Sequence, residues 1–318
     1  MNRFNALLLI SYLLLPGTLH AKQASIVYIN SYHEGYQWTD KGFAAFKQNL
    51  NIDADIHALY LDSKRNQSPT HIKQVTQMTL EFINQHKPDL IIAAEDNASK
   101  YIIEPYFKNS DIPVIFLGVN LDASIYGYPY ENATGIIEMD GIKNLIQALK
   151  TIKVNGQFQM LFSATNTSQK TKHILEKEGL TNLKLHTAQT DKQWYDTLSK
   201  INEESDFLAL DTITGIAGLT EASALHFIKE NITQPIISTS YTSRNLSHIG
   251  YVNIAEEHGV WAANVASKVM NGQDIRSFPI HKSNHYLMFI NQQLIDEMGI
   301  TIPRSIYQLP HVELKRLQ

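Results

Sequence analysis

Short apolar segments alternate with longer segments of helical periodicity along nearly the whole chain, and this alternation restricts the fold more than any other feature. Ser25–Ile29, Leu90–Ala93 and Val114–Leu117 are runs of the first kind. Between them, Thr39–Asn49 and Thr70–His86 repeat apolar side chains at the spacing of a helix. The pattern is typical of βαβ units, and strands that are apolar throughout are expected to have helices on both faces.

A second series of the same kind begins near Asp140. It predicts the following segments in alternation: a helix over Gly141–Ile152, a strand at Phe158–Phe162, a helix over Ser168–Glu178, a strand at Leu183–His186, a helix over Asp191–Asn202, a strand at Phe207–Leu210, a helix over Leu219–Lys229 and a strand at Pro235–Ser238. Thr134–Ile137 and Ile249–Val252 are predicted to be extended and to cross between two lobes. The length of 318 residues fits two lobes, at about 150 residues per domain.

The last part of the chain contains one more helix and a final strand region. Glu256–Met270 is predicted to be a helix that ends at Asn271-Gly272. Phe278–Ile290 is predicted to contain the last strands, and the tail from Pro303 is expected to lie along the surface.

Composition and motifs exclude several function classes. The chain has 31 acidic and 27 basic residues, a formal charge of -4, which argues against a protein that binds nucleic acid by charge. It has no cysteine, and therefore no disulfide, thiolate metal site or nucleophilic thiol. It contains no GxxxxGK[ST], strand-linked GxGxxG, GxSxG or HExxH motif. His281 and His285 are four residues apart, but the flanking residues predict a strand, and we expect neither a metal nor a cofactor.

The first residues have the pattern of a secretory signal peptide. A basic start, Met1–Arg3, precedes an apolar run from Phe4 to Leu15, a Pro16-Gly17 break and a small residue, Ala21. The alternative is a retained membrane anchor, but the run is shorter than the roughly 20 apolar residues that span a bilayer. We predict that residues 1–21 are a signal peptide cleaved after Ala21, and that the mature chain is free in the periplasm of a two-membrane bacterium, since it has no cysteine for lipid attachment.

Ligands of parallel α/β sheets bind outside the carboxyl ends of the strands, so residues that follow each apolar run are candidates for binding. After the first strand, Tyr32, Tyr36 and Trp38 offer aromatic faces, and Ser31 and His33 offer hydrogen bonds. A structural alternative is that Trp38 and one tyrosine only pack this loop onto the following helix.

The third and fourth strands are followed by a second group of candidates. Asp96 or Asn97 can cap the next helix, and this leaves Glu95 free to meet an amino group. After the fourth strand, Gly118 allows close approach of the backbone, and Asn120 adds an amide.

The corresponding positions of the second series carry hydroxyl groups and an aspartate, which suit a polar small molecule. These candidates are Ser163, Asn166, Thr167, Asp211, Thr212, Ser240 and Tyr241. Each of them alone could also be a helix cap.

An ordered set of segments resembles one protein family. These segments are Asn30–Asp40, Lys87–Ala93, Asp111–Phe116, Asn132–Gly135, Asn271–Gln273, Ile290-Asn291 and Gly299–Pro303. Together they resemble the type I periplasmic solute-binding proteins, in the ABC-transporter substrate-binding group that also provides sensory input domains of bacterial receptors.

The resemblance implies two Rossmann-like α/β lobes with parallel sheets, joined by a hinge of several crossings, with the ligand in the cleft between them. It also implies that the helix over Glu256–Met270 returns to the first lobe. We therefore expect lobe 1 to comprise 22–138 plus 253–278, and lobe 2 to comprise 139–252 plus 279–318.

The expected function is binding of a small polar ligand without catalysis. The acidic residues and the aromatic rings predict an amine-bearing molecule, with an amino acid favoured, whose carboxylate meets serine hydroxyls and helix N-termini. The partner is a membrane permease or, alternatively, a receptor kinase or cyclase that senses the closed form. A different class remains open, a hydrolase or isomerase that uses His33 with Glu34 or Glu95 as acid and base.

Overall fold

A computed structural model describes residues 23–139, 157–177, 183–302, 304 and 312–316. The strands are β1 (Ala24–Asn30), β2 (Ala54–Tyr60), β3 (Leu90–Ala94), β4 (Val114–Asn120), β5 (Ala133–Glu138), β6 (Gln157–Ser163), β7 (Leu183–Ala188), β8 (Ser205–Leu210), β9 (Ile236–Ser238), β10 (Ile249–Asn253), β11 (His281–Lys282), β12 (Tyr286–Ile290) and β13 (Val312–Arg316). The helices are α1 (Gln37–Asn49), α2 (Pro69–His86), α3 (Glu95–Ala98), α4 (Asn166–Lys177), α5 (Asp191–Glu204), α6 (Glu221–Asn231), α7 (Ala255–Met270) and α8 (Gln292–Met298). The helix predicted over 141–152 and the signal peptide predicted over 1–21 lie outside the described residues.

The first sheet has the strand order β11-β5-β4-β3-β1-β2, and all its neighbouring strands are parallel. Both of its faces are buried. Val27 and Ile29 pack into one apolar cluster, while Ile26 and Tyr28 point to the opposite face and pack with Phe46 of α1. The prediction of apolar strands covered on both sides is therefore confirmed.

The second sheet has the order β13-β12-β10-β9-β8-β6-β7. Its strands are parallel except for the pair β10 and β12. Met160 packs on one face, and Leu161 packs on the other against Trp194 of α5. The chain thus forms two α/β lobes with mostly parallel sheets, which confirms the predicted fold class.

The tail departs from the sequence prediction. We expected residues from Pro303 onward to lie along the surface, but Val312–Arg316 pairs with β12 as a parallel edge strand. This strand is not an apolar run, because it carries the charged residues Glu313, Lys315 and Arg316. Charged side chains are common on strands that lie at the edge of a sheet.

The segments predicted as crossings are strands that belong to the two sheets. Thr134–Ile137 lies within β5, and Ile249–Val252 lies within β10. After β10 the chain returns to the first lobe, where α7 packs against α1, as the family resemblance implies. Gly259 permits this contact, because a Cβ atom there would lie 2.1 Å from the carbonyl oxygen of Gly42.

The next element also belongs to the first sheet. His281–Lys282 pairs with β5, and the chain joins the second sheet only at β12. The segment of lobe 1 that was predicted to end at residue 278 therefore ends before this strand, which belongs to the first sheet. The rest of the division into lobes stays a proposal.

Candidate functional site

A cleft lies where the carboxyl ends of the two sheets face each other. Its described lining comes from both lobes: Tyr32, Tyr36, Trp38, Lys64, Glu95, Asn120 and Glu138 from the first, and Ser168, Thr171, Asp211, Thr212, Thr239, Ser240, Thr242, Val252 and Asn253 from the second sheet and its loops. Six of these residues end a strand or follow one directly, and Tyr32, Thr212 and Ser240 come two residues after a strand ends. This is the place where parallel α/β sheets bind their ligands.

Eight of the residues selected from the sequence line the cleft. They are Tyr32, Tyr36, Trp38, Glu95, Asn120, Asp211, Thr212 and Ser240. Seven others lie behind or beside it: Ser31, His33, Asp96, Asn97, Gly118, Ser163 and Asn166. The side chains of Thr167 and Tyr241 lie outside the described ones.

Ser31 supports the turn after β3 rather than lining the cleft. Its hydroxyl donates to the carbonyl of Ala94 at 2.6 Å and accepts from the backbone N–H of Ala98 at 2.8 Å. Because both bonds are buried, Ser31 fixes the start of α3 relative to β1. Asn97 is likewise bonded within the protein, since its amide nitrogen donates to the Ser63 hydroxyl at 2.9 Å.

Ser163 and Asn166 also make contacts with the protein itself. The Ser163 hydroxyl lies 3.1 Å from that of Thr165 and 2.9 Å from that of Ser168. Asn166 donates to the hydroxyl of Tyr101 at 3.1 Å, a contact between the second lobe and the first. Of this hydroxyl cluster, Ser168 is the member that reaches the cleft.

Glu95 is held by its backbone conformation and by a hydrogen bond to its carboxyl group. Its backbone has φ +73°, a left-handed conformation that costs a residue with a side chain about 1–3 kcal/mol and is typical of functional sites. Its Oε1 accepts from Trp38 Nε1 at 2.8 Å. Burial, with the nearby carboxylates of Glu138 and Asp96, raises the pKa of Glu95 well above its ordinary value, although Trp38 and Lys64 act in the opposite direction.

The backbone of Gly118 lies directly against the Glu95 carboxyl group. It has φ +70°, and a Cβ atom there would lie 2.4 Å from Glu95 Oε1. Its N–H donates to Nδ1 of His258 at 3.2 Å, and the His258 ring meets Trp38 edge to face. Gly118 was predicted because a glycine lets a ligand approach the backbone, but here it is a carboxyl group of the protein that approaches.

Substituting Gly118 by alanine is expected to destabilise the protein and to displace Glu95. Gly272→Ala is the matched control, because Gly272 has φ +92° but nothing within 4 Å of an added Cβ. The strain of a positive φ is common to both variants, so the difference between them measures the clash with Glu95. We expect Gly118→Ala to lose about 1–3 kcal/mol more in urea unfolding, the usual cost of overpacking. Equal losses would show that the Glu95 carboxyl is free to move away.

Lys64 lines the cleft and was not among the residues selected from the sequence. Its Nζ donates to the Tyr36 hydroxyl at 2.9 Å and lies 4.7 Å from the ring centre of Tyr32 and 4.9 Å from that of Tyr36. Burial alone would lower the pKa of Lys64, but Tyr36 and the charges of Asp211 and Glu95 raise it above its ordinary value. The ammonium group therefore stays charged inside the site.

In the second lobe, Asp211 lies against the first turn of α4. Its Oδ2 accepts from the Ser168 hydroxyl at 2.5 Å. Burial raises the pKa of Asp211, while the Ser168 hydrogen bond and the Lys64 charge act in the opposite direction. Thr242 donates to the hydroxyl of Thr212 at 3.1 Å and extends the polar surface on this side.

A buried ion pair joins the two lobes beside the cleft. Lys170 Nζ of α4 lies 2.6 Å from Asp96 Oδ1 of α3, with side-chain exposures of 7% and 2%. The other carboxylate oxygen of Asp96 accepts from Asn120 Nδ2 at 2.6 Å. The ammonium also lies 4.8 Å from the ring centre of Tyr126. Asp96 therefore connects the lobes instead of capping its helix.

His33 lies in a neighbouring groove and not in the cleft. This groove is lined from both lobes, with His33 and Gln37 on one side and Ile213, Leu219 and Arg244 on the other. The Nδ1 of His33 lies 3.8 Å from Asp62 Oδ1. Glu95 lines the cleft, where its Oε1 accepts from Trp38, whereas His33 lines the neighbouring groove.

Three of the residues that were missed lie at the end of a strand or shortly after it. Lys64 comes four residues after the end of β2. Glu138 ends β5 and Asn253 ends β10, the two strands that were treated only as crossings. Applying the strand-end rule to every strand would have selected all three.

The described residues contain no group of three or more His, Asp or Glu side chains arranged to hold a metal ion. In the same ranges, no helix is both long enough and apolar enough to cross a bilayer.

Comparisons with known proteins give a consistent picture of the fold. The sequence model of one family, described as "ABC transporter substrate binding protein", matches residues 28–313. No curated protein matches the sequence. A conserved domain protein from Vibrio cholerae has a similar structure, with a TM-score of 0.70, 14% identity, and coverage of 92% of this chain and 100% of that one.

Two further solved structures are similar at comparable levels. An ABC domain from Streptococcus pneumoniae, in complex with L-Trp, has a TM-score of 0.69 and 15% identity over 92% of this chain and 100% of that one. A ligand-free, open substrate-binding protein with adhesive properties from Clostridium difficile has a TM-score of 0.66 and 16% identity over 93% of this chain and 100% of that one. At these identities the likeness shows the fold, which is that of the type I periplasmic binding proteins.

Proposed function

Because this chain belongs to the family of ABC transporter substrate-binding proteins, we propose that it captures a small amine-bearing molecule between its lobes and delivers it to an ABC permease. The family itself implies a small-molecule ligand and a permease partner. That the ligand carries an amine goes beyond what the family implies. An amino acid or a related compound is the first candidate. Export to the periplasm, after removal of residues 1–21, is part of the same proposal.

The observation that carries this proposal is the chemistry of the cleft lining. Carboxyl groups of Glu95, Glu138 and Asp211 reach the cleft from both lobes, and an ammonium group is their natural partner. The rings of Tyr32 and Tyr36 offer a surface for a flat or apolar part, where such rings also stabilise cations. The L-Trp bound to the related Streptococcus pneumoniae domain supports a ligand that combines an amine with an aromatic ring.

The proposed mechanism is a shift of population between open and closed lobes. A ligand that touches both lobes stabilises the closed form, and the permease recognises the surface that the two lobes then share. The contacts of Lys170 with Asp96 and of Asn166 with Tyr101 already cross between the lobes. They stabilise closure in addition to the ligand.

A thermal-shift screen tests the proposal. The protein comprising residues 22–318 is refolded from denaturant to remove any ligand carried through purification, and is then screened against amino acids, amines, nucleosides and sugars. A compound present at 100 times its dissociation constant adds about 2.7 kcal/mol to the free energy of unfolding. We expect at least one amine or amino acid to raise the unfolding midpoint, and this shift to be lost in Asp211→Asn. Stabilisation by sugars or nucleosides alone would contradict the proposal.

A further inference from the structure

The cleft contains more acidic than basic side chains. Among its described lining residues, Glu95, Glu138 and Asp211 carry carboxyl groups, and Lys64 is the only one with a basic side chain. Three acidic side chains therefore face one basic side chain among these residues. A closed cleft excludes water, so this imbalance acts on a bound ligand with little screening.

The positive charge of Lys64 is already matched within the protein. Its ammonium is held by the Tyr36 hydroxyl and lies near the faces of the Tyr32 and Tyr36 rings. Asp211 and Glu95 both interact with it electrostatically. A ligand carboxylate that approached Lys64 would therefore compete with two carboxyl groups that belong to the protein.

The hydroxyl groups at the start of α4 are also taken by a carboxylate of the protein. We expected serine hydroxyls and a helix N-terminus to bind the carboxylate of an amino acid. Instead, the Ser168 hydroxyl donates to Asp211 at 2.5 Å. A second carboxylate placed there would face Asp211 directly, and like charges in contact are strongly unfavourable.

An unsatisfied acceptor lies beside Glu138, on a residue that lines the cleft. Asn253 is 6% exposed, and its Nδ2 donates to Glu138 Oε1 at 3.1 Å, which fixes the orientation of the amide. Within the described part of the chain, the buried Oδ1 of Asn253 has no hydrogen-bond partner. Buried acceptors of this kind are normally paired, so the site lacks a donor and not another acceptor.

From these four observations we propose that the ligand is a net organic cation, an amine or a guanidine that carries no carboxylate. Its ammonium or guanidinium donates to Asn253 Oδ1 and Glu138, and its apolar part lies against the rings of Tyr32 and Tyr36. This inference rests on the proposed function and narrows it, because it excludes the zwitterionic amino acids that the proposed function admits.

Calorimetric titration with matched pairs of compounds tests the inference. Each pair consists of an amine and the amino acid that differs from it by one carboxylate: tryptamine and L-tryptophan, tyramine and L-tyrosine, agmatine and L-arginine. We expect the amine of the best-binding pair to bind about tenfold tighter or more, because its partner brings a like charge against Asp211 or Glu138. Asp211→Asn and Glu138→Gln are each expected to reduce this preference, with folding verified by circular dichroism.

The outcomes separate this inference from the proposed function. An amino acid that binds as tightly as its amine, or more tightly, overturns the cationic ligand while the proposed function stands. If no amine and no amino acid binds, both fail. Glu81→Gln is the control for the substitutions, because Glu81 is exposed on α2, bonded to Gln77, and should keep the wild-type preference.

Discussion

Lys170→Met is expected to shift the ligand-free protein toward an open form. The substitution removes the ammonium that lies 2.6 Å from Asp96 and leaves that carboxylate without its charged partner at 2% exposure. Loss of one member of a buried ion pair costs about 3–5 kcal/mol. Because the two residues belong to different lobes, separation of the lobes relieves this cost by hydrating Asp96. Small-angle scattering should therefore show a larger radius of gyration, and ligand affinity should fall.

Lys172→Met is the matched control for this experiment. Lys172 lies on the same helix, and its Nζ is 2.6 Å from Glu176, but both side chains are partly exposed, at 21% and 47%, and both lie within α4. Such pairs contribute less than about 1 kcal/mol, so neither the scattering nor the affinity should change. The double variant Asp96→Asn/Lys170→Met should recover part of the loss, since no charge is then left unpaired. Equal behaviour of the Lys170 and Lys172 variants would refute the account of a lobe-to-lobe lock.

Glu95→Gln is expected to make the ligand-free protein more stable at pH 8 than the wild type. Burial, together with Glu138 and Asp96, raises the pKa of Glu95 above its ordinary value of 4.5. The folded state therefore holds this proton more firmly than the unfolded state. The stability that Glu95 contributes is present in full below its unfolded pKa and is lost as pH rises toward its folded pKa, by up to about 1.4 kcal/mol per pH unit.

Urea unfolding of both proteins at several pH values measures this effect. The difference in unfolding free energy should be small near pH 4.5 and should grow in favour of Glu95→Gln as pH rises. A constant difference across the pH range would mean that Glu95 titrates normally and that burial does not hold its proton. Glu81→Gln should show no such trend, because its carboxyl group is exposed.

Of the residues in these two predictions, Glu95 and Asp96 were selected from the sequence and Lys170 was not. The periodicity predicted the strands, the helices and their alternation, because burial on both faces of a parallel sheet leaves continuous apolar runs such as Leu90–Ala94. The strand-end rule then placed Glu95 and Asp211 in the cleft. Both predictions depend on local features of the chain, namely apolar runs and the residues that follow them.

The missed features depend on contacts between distant segments. Asp96 was interpreted as a helix cap, whereas its partner Lys170 is 74 residues away and belongs to the other lobe. Gly118 was correctly singled out as a close-approach position, but only the folded chain shows that Glu95 is the group that approaches. The edge strand β13 was missed because it carries charges and, within the described residues, pairs with β12 alone. Spacing in a sequence does not encode which of several carboxylates meets which cation.

The central claim is that a small ligand binds between the two lobes, and a crystal structure with the most stabilising compound from the screen tests it most directly. The account predicts density for the compound between Tyr32, Tyr36 and Glu138 of the first lobe and Asp211 of the second, with its amine within hydrogen-bond distance of a carboxylate. Density outside the cleft, or a compound that contacts only one lobe while the lobes stay apart, would contradict it.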